Sequence, residues 1–241
     1  MLEFGFKSDV GKRREKNQDS FFVMPDIGLF LIADGVGGHR SGEIASRLAM
    51  IDFAKYVKEK PIAEGAGQDE LKEYFSQIFK DINRHIRELA GDETKRGMAT
   101  TLVMLYIKDN HAFVINVGDS RVYLIRENKI SQITEDHSFV NGLVKKGIIS
   151  AEQARNHPDR NMITRAMGAE EEIQPDYYVF DIYSDDIILM CTDGLYSEVD
   201  DENICRIASD SGSQREACKR LVDAANKNKG NDNITVVSVR I

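Results

Sequence analysis

The amino-acid sequence predicts an α+β fold that contains antiparallel β-sheets. Short apolar segments rich in β-branched and aromatic residues are joined by tight-turn signals, such as Asp109-Asn110 between two of them. The helical patterns are grouped together instead of alternating with the strands, which argues against a parallel α/β sheet. No internal repeat or linker divides the 241 residues, so we predict a single domain over residues 1–241.

The first elements are predicted to be three strands and two helices. Strand patterns occur in LEFGFKSD, SFFVM and GLFLIAD, and Pro25-Asp26 marks a hairpin turn between the last two. From Gly42 onwards apolar residues recur at helical spacing, with Ser41 as the N-cap and Glu43 in the first turn. A second apolar stripe predicts another helix that packs on a core, and it comprises Leu71, Phe75, Ile78, Phe79, Ile82 and Ile86.

The second half of the chain returns to strands. Strand patterns occur in TTLVMLYI, HAFVINV and SRVYLIRE, then in DYYVFDI and DIILMCTDG, and finally in NITVVSVRI. A helix is predicted over residues 214–227. Between these elements, the apolar density falls over residues 135–168. This fall favours a mobile subdomain, with a passive surface insertion as the alternative.

Charge, hydropathy and cysteine content argue against several classes of protein. The net charge of −8 is unlike the basic surplus of proteins that bind nucleic acid phosphates. No apolar segment approaches the roughly 20 residues that span a bilayer, and the N-terminus lacks the pattern of a secretory signal. The three cysteines show no metal-ligand spacing and favour a reducing compartment. We therefore predict a cytoplasmic protein that binds neither nucleic acid nor membranes. Separately, we expect a monomer, although no sequence feature reports on oligomeric state.

Four short segments each place one aspartate where an apolar strand meets a glycine-containing loop. They are LIADGVGGH with Asp34, INVGDSR with Asp119, ILMCTDGL with Asp193 and KGNDNITVV with Asp232. One such aspartate is usually a turn residue, but strand ends of adjacent sheets can bring four together. Clustered carboxylates repel each other unless a cation neutralises them, and oxygen ligands prefer Mg²⁺ or Mn²⁺. The pattern indicates metal-assisted hydrolysis or phosphoryl chemistry.

A basic segment near the N-terminus supplies groups that could bind phosphate. It reads KRREKNQD and contains Lys12, Arg13, Arg14 and Lys16 before Asp19. An arginine can hold a phosphate dianion through two parallel hydrogen bonds. The segment alone is equally compatible with a solvated basic loop.

Together these segments resemble the metal-dependent protein phosphatases of type 2C (the PPM family), in particular their compact bacterial members. The resemblance rests on RREKNQD, ADGVGGHRSGE, GMATT, NVGDSRVYLIR, EDHSFVNGLVKKGIISAEQARNHPDRNMITRAMG, LMCTDGL and NDNITVV, which follow the family's order along nearly the whole chain. It implies a sandwich of two antiparallel β-sheets flanked by α-helices (α-β-β-α). It also implies a flap subdomain at about residues 136–168, which borders the substrate channel.

The resemblance also implies a set of metal ligands. Asp34 would bridge two ions, and the carbonyl of Gly35 would bind the second of them. Asp193 and Asp232 would bind the first ion. Asp119 would complete a third site that it shares with Asp193.

Other residues would contact water, phosphate or the leaving group. Gln18 and Asp19 match positions that orient metal-bound waters. Arg14 matches the family's phosphate-binding arginine, and the adjacent Arg13 competes for that role. His39 comes later than the histidine that directly follows the Asp-Gly pair in eukaryotic members. It either donates a proton, holds substrate or caps the following helix, and a metal-bound water is the other candidate acid.

The implied function is hydrolysis of phosphoserine and phosphothreonine in proteins by a metal-activated water, without a covalent intermediate. The implied cofactors are two Mn²⁺ or Mg²⁺ ions, with a third at Asp119 and Asp193. The implied partners are phosphorylated proteins and a bacterial serine/threonine kinase that the phosphatase opposes. Two other hypotheses stay open, namely a non-catalytic regulator that binds a phosphoprotein and a phosphatase for small phosphoesters.

Overall fold

The computed structural model describes residues 2–36, 41–91 and 97–241, and it confirms the predicted α+β class with antiparallel sheets. The strands in these ranges are β1 (Glu3–Asp9), β2 (Asp19–Met24), β3 (Leu29–Val36), β4 (Ala99–Thr100), β5 (Leu102–Lys108), β6 (His111–Val117), β7 (Arg121–Arg126), β8 (Lys129–Gln132), β9 (Asp176–Asp181), β10 (Ile187–Cys191) and β11 (Ile234–Arg240). One sheet has the order β1-β11-β10-β7-β8, and the other has the order β2-β3-β5-β6-β9 with β4 paired to β3.

The helices occupy the connections between these strands. They are α1 (Ser41–Glu59), α2 (Gln68–Ala90), α3 (Phe139–Lys145), α4 (Ala151–Arg155), α5 (Asp193–Tyr196), α6 (Asp201–Asp210) and α7 (Gln214–Asn228). Within the described ranges, no helix has the length and apolarity needed to cross a membrane.

The two faces of β3 explain why its sequence is continuously apolar. Leu29, Leu31 and Ala33 pack in the cluster formed with α1 and α2, while Phe30 and Ile32 point to the opposite face and contact the other sheet. Successive side chains of a strand point to opposite faces, so a strand buried on both sides has no polar alternation. The strand thereby carries its terminal aspartate between two apolar layers.

The sheet that contains β10 is also covered on both faces. Ile188 and Met190 of β10 face the sheet that contains β3, whereas Leu189 and Cys191 pack in the cluster with α6 and α7. The layers therefore stack in the order α-β-β-α. This arrangement confirms the architecture that the resemblance implied.

Two hairpin turns show how local sequence determines strand pairing. Asp109 and Asn110 have φ values of 50° and 62°, as a two-residue primed turn requires, so the predicted hairpin between β5 and β6 is present. Glu127 and Asn128 have φ values of 51° and 58° and turn β7 into β8. The sequence analysis did not predict β8, because this short edge strand (KISQ) is largely polar and exposed.

Further differences from the predicted elements concern single residues and short helices. The predicted strand TTLVMLYI is divided at Thr101, whose hydroxyl accepts a hydrogen bond from the Asp34 amide at 2.8 Å. Helix α6 was not predicted, and α7 extends one residue beyond the predicted end. Ser41 belongs to α1 itself, and the residues before it, 37–40, lie outside the described ranges.

A buried asparagine on α2 anchors the end of the 136–168 segment. Asn83 Oδ1 accepts a hydrogen bond from the Gly168 amide at 2.7 Å, and its Nδ2 donates to the carbonyls of Glu170 and Glu171 at 3.0 and 3.3 Å. Substitution of this residue leaves the buried Gly168 amide without its partner. The single domain and the flap subdomain themselves stay predictions.

We expect Asn83→Ala to lower the free energy of unfolding by about 2 kcal/mol, because the backbone groups it satisfies lose their partners. Equilibrium unfolding in urea measures this change. Gln77→Ala provides a matched control, since Gln77 lies on the same helix with an exposed side chain. Equal effects of the two substitutions would contradict the anchoring role.

Candidate metal centre

Five aspartates lie at the same end of the two sheets. Asp19 begins β2 and is paired in register with Asp34 near the end of β3. Asp119 follows β6, Asp193 begins α5 directly after β10, and Asp232 precedes β11. The charges of the other four all raise the pKa of Asp34. The fold therefore brings the four aspartates of the sequence pattern together and adds Asp19 to them.

Burial and mutual repulsion make this cluster reluctant to ionise. Burial is the main cause that raises the pKa of Asp34 and of Asp119 well above the usual range, and neighbouring carboxylates add to it. Burial also raises the pKa of Asp193 to about 6 and that of Asp19 to about 7. Negative charge thus accumulates here at a cost in free energy that a bound cation would offset.

Two carboxylate oxygens of the cluster, Asp19 Oδ1 and Asp193 Oδ1, are buried without a hydrogen-bond partner. Such orphaned acceptors are rare in folded proteins and call for an explanation. The cluster offers oxygen ligands, which suit Mg²⁺ or Mn²⁺. In the described part of the chain, no three His, Cys, Asp or Glu side chains already form a coordinating arrangement. The residues fit hard divalent cations in their chemistry, and binding would draw the carboxylates closer together.

A threonine connects the cluster across the two sheets. Thr192 Oγ1 donates to Asp19 Oδ2 at 2.9 Å and accepts from the Thr235 amide at 3.0 Å. The Thr192 amide in turn donates to the Thr235 carbonyl at 3.1 Å. Thr192 thereby fixes one oxygen of Asp19 and leaves the other free. The sequence analysis did not single out this residue, although its place directly before Asp193 was a possible signal.

An asparagine holds the basic segment beside the cluster. Asn233 Oδ1 accepts from the Gln18 amide at 2.8 Å, and its Nδ2 donates to the carbonyls of Val10 and Lys16 at 2.9 and 2.8 Å. This single side chain therefore fixes both ends of the loop that precedes β2. Sequence reasoning included Asn233 only as part of a motif, because its partners are main-chain groups more than 200 positions away.

The structure distinguishes Arg14 from Arg13. Arg14 Nη2 donates to Asp232 Oδ2 at 2.7 Å. That hydrogen bond is the main cause that raises the pKa of Arg14, and the charges of Asp193 and Asp34 add to it. Arg13 is exposed and has no such contact among the described residues. The geometry favours Arg14 as the arginine that faces the cluster.

The loop that carries Asp119 is fixed from two sides. The Gly118 amide donates to His137 Nδ1 at 3.0 Å, and His137 Nε2 donates to Asp176 Oδ2 at 3.0 Å. On the other side, the Tyr196 hydroxyl donates to the Asp119 carbonyl at 2.9 Å. His137 thus joins the base of the 136–168 segment to this aspartate, which gives the histidine a defined structural task.

Close packing gives a second reason for glycine at position 35, besides the approach of its carbonyl to an ion. A Cβ at Gly35 would lie 2.2 Å from the Gly42 carbonyl oxygen and 2.7 Å from that of Gln18. No other residue type fits between β2, β3 and the start of α1 without displacing backbone. The other residue predicted in this loop, His39, lies outside the described residues.

The cysteines take no part in the cluster. All three are free and buried, and they are Cys191, Cys205 and Cys218. Burial raises the pKa of the Cys191 thiol far above its usual range, so its reactive thiolate form is suppressed.

Comparisons of the whole chain with known proteins agree with one another. The sequence profile of the family described as Protein phosphatase 2C matches residues 11–234. Protein phosphatase PhpP of Streptococcus pneumoniae is 37% identical over 241 residues, which cover 99% of this chain and 97% of the relative.

Solved structures show the same likeness. The serine/threonine phosphatase Stp1 from Staphylococcus aureus matches with a TM-score of 0.92 and 33% identity, covering 100% of this chain and 95% of that one. The catalytic domain of the serine threonine protein phosphatase PstP, in complex with two manganese ions, matches with a TM-score of 0.86 and 32% identity, covering 99% and 97% of the two chains.

We expect the metal-free protein to be less stable at about pH 8 than at about pH 5.5. Folding raises the carboxyl pKa values from about 4 to about 6 for Asp193 and about 7 for Asp19, so stability is lost as the pH rises through this window. Saturating Mn²⁺ at about pH 8 should raise the Tm by roughly 5–10 °C, as expected for a ligand at about 100 times its Kd. Calorimetry in EDTA and in Mn²⁺ measures both effects.

Two substitutions control this experiment. Asp193→Asn removes a buried charge, so the variant should be no less stable than the wild type without metal at about pH 8, and its Mn²⁺-induced increase in Tm should be less than about half as large. Asp223→Asn, at an exposed position on α7, should keep the full increase. An undiminished increase in the Asp193 variant would contradict the assignment.

Proposed function

Because the chain belongs to the protein phosphatase 2C family and is a protein serine/threonine phosphatase, we propose that the five clustered aspartates form its catalytic metal centre. The observation that carries this proposal is the pair of orphaned buried oxygens on Asp19 and Asp193. Metal dependence follows from the family, and the manganese complex of PstP supports it.

We assign the ligands as the motifs imply. Asp34 would share the first ion with Asp193 and Asp232, and Asp34 and the carbonyl of Gly35 would hold the second ion. Asp119 would contribute a third site together with Asp193. The proposed ions are Mn²⁺ or Mg²⁺, since the available donors are oxygens. The convergence of these carboxylates at one end of both sheets supports the assignment.

When bound, the cations act as Lewis acids that neutralise the phosphate and make water nucleophilic at neutral pH. Asp19 would orient the attacking water, because Thr192 holds one of its oxygens and leaves the other free. The three buried thiols offer no competing cysteine nucleophile, and water would attack the phosphorus directly as the bond to the serine or threonine oxygen breaks.

Arg14 would bind the phosphate group of the substrate. Its guanidinium group already lies against Asp232, and the planar fork can give two parallel hydrogen bonds to phosphate oxygens. In the transition state these hydrogen bonds would stabilise charge on the equatorial oxygens. The leaving serine or threonine needs a proton, for which His39 and water remain the candidate donors.

The proposed substrates are phosphoproteins, and the proposed opposing enzyme is a serine/threonine kinase. Both follow from the activity, because a phosphatase needs a reaction that supplies its substrate. Free, buried cysteines favour a reducing, cytoplasmic location. The monomeric state stays a prediction.

We expect Asp34→Asn and Asp193→Asn each to lower kcat/KM for a phosphothreonine peptide by at least about 100-fold, because each weakens the binding of cations that stabilise the transition state. Phosphate release in the presence of Mn²⁺ measures the effect. Full activity of either variant, or wild-type activity that is independent of metal, would contradict the proposed centre. A variant that keeps its far-ultraviolet circular dichroism spectrum excludes unfolding as the cause.

We expect Arg14→Ala to lower kcat/KM for the same peptide by about tenfold to 100-fold, since it removes charge-assisted hydrogen bonds to the phosphate. Arg13→Ala is the matched control and should stay within about twofold of the wild type, as is typical of an exposed charge. The reverse order of effects would assign the phosphate to Arg13 instead.

A further inference from the structure

A polar pocket opens beside the aspartate cluster. It has a volume of about 280 Å³, and Asp193 and Asp232 form part of its wall. Three basic side chains also line it: Arg155 at the end of α4, Arg160 in the loop that follows, and Lys229 at the C-cap of α7. We refer to these three as the basic cluster. The pocket is therefore lined by both carboxylates and cations.

The charges of the basic cluster are not neutralised by ion pairs with the described part of the chain. Arg155 contributes to lowering the pKa of Asp200, but hydrogen bonds from Asn203 are the larger cause. Glu198, the other carboxylate of the pocket, accepts a hydrogen bond from Asn231 Nδ2 at 2.8 Å. The three cations thus remain available to an external anion.

The basic cluster is assembled from two distant parts of the chain. Arg155 and Arg160 belong to the 136–168 segment, whereas Lys229 lies just before β11. The protein as a whole carries a net charge of −8, so three cations in one pocket that the described residues leave unpaired are a departure from its general surface. Solvation of a generally acidic protein does not account for three such cations in the pocket that Asp193 and Asp232 also line.

We infer that the basic cluster binds an anionic side chain of the phosphoprotein substrate, outside the phosphate group that is hydrolysed. The inference rests on the proposed function, since it takes the aspartates as the place where the reacting phosphate binds. Asp193 and Asp232 line the same pocket as the basic cluster, so a peptide that extends from that centre into the pocket would come within reach of these cations. The anion would be a carboxylate of glutamate or aspartate, or a second phosphorylated residue.

The size and exposure of the pocket fit a peptide side chain. Its volume of about 280 Å³ is slightly below the range of about 300–1,000 Å³ that is typical of pockets for drug-sized ligands. All three basic side chains are exposed, so each ion pair with substrate would be worth less than about fivefold in an equilibrium. Acting together, they predict a preference of about tenfold in kcat/KM for a flanked substrate.

The experiment compares phosphothreonine peptides that differ at one flanking position. Glutamate, alanine, lysine or a second phosphothreonine is placed at successive positions on either side of the reacting residue. We expect one position to show about a tenfold higher kcat/KM with an anionic neighbour than with alanine, mainly through KM. The glutamate and phosphothreonine arms distinguish a carboxylate from a phosphate as the preferred anion. The preference should disappear at about 1 M salt, where the Debye length is about 3 Å.

Substitutions in the basic cluster test whether the preference for an anionic neighbour arises in the pocket. Lys229→Glu should abolish the preference for the anionic neighbour or reverse it towards lysine, and Arg155→Ala and Arg160→Ala should each reduce it. Lys219→Ala is the matched control, because Lys219 is an exposed cation on α7 that does not line the pocket. The readout is the ratio of kcat/KM values between flanked and unflanked peptides, so a general loss of folded enzyme cancels.

Each outcome decides one of the two proposals. Equal kcat/KM for all neighbours in the wild type, or a preference that Lys229→Glu leaves unchanged, would overturn the inference about the pocket. Absence of metal-dependent phosphate release from every peptide would instead overturn the proposed function. The inference is supported if substitutions in the basic cluster reduce the preference and the Lys219 substitution leaves it unchanged.

Discussion

Repulsion among buried carboxylates is the constraint on which the rest of this structure depends. Asp19, Asp34, Asp119 and Asp193 lie together with Asp232 at the end of two apolar sheets, and burial makes the ionised forms of the first four costly. Electrostatic repulsion alone would separate these carboxylates. The fold keeps them together because each is attached to the end of a strand that apolar burial fixes, and burial of the strands outweighs the repulsion at their ends.

Neutral hydrogen bonds then determine which carboxylate oxygens stay free. Thr192 binds one oxygen of Asp19 across the two sheets, and Asn233 fixes the loop that carries Arg14. These contacts align the cluster without supplying the positive charge that would cancel its field. A lysine or arginine in the place of Thr192 would satisfy the same carboxylate, but it would remove the affinity for a cation.

The sequence predicted the parts of this arrangement that are encoded locally. The strand-end aspartates and the hairpin at Asp109-Asn110 follow from short-range patterns of turn residues and apolar periodicity. The edge strand β8 and the clamp by Asn233 could not be predicted in this way. Strand β8 is largely polar because its side chains are mostly exposed. The clamp by Asn233 depends on partners that are brought near only by the packing of β11 beside β1. The choice between Arg13 and Arg14 could not be predicted either, since the two side chains are identical and adjacent. Only the fold decides which of them points towards the cluster.

The direction of Arg14 connects the stability of the cluster with its proposed chemistry. Its hydrogen bond to Asp232 offsets part of the carboxylate repulsion. A cation that neutralises Asp232 would remove the reason for this pairing and leave the guanidinium group free beside the centre. One side chain can therefore stabilise the cluster before cations bind and offer a phosphate-binding fork afterwards. A half-exposed arginine would suit such an exchange better than a buried one, because its partner could change without leaving a buried charge unpaired.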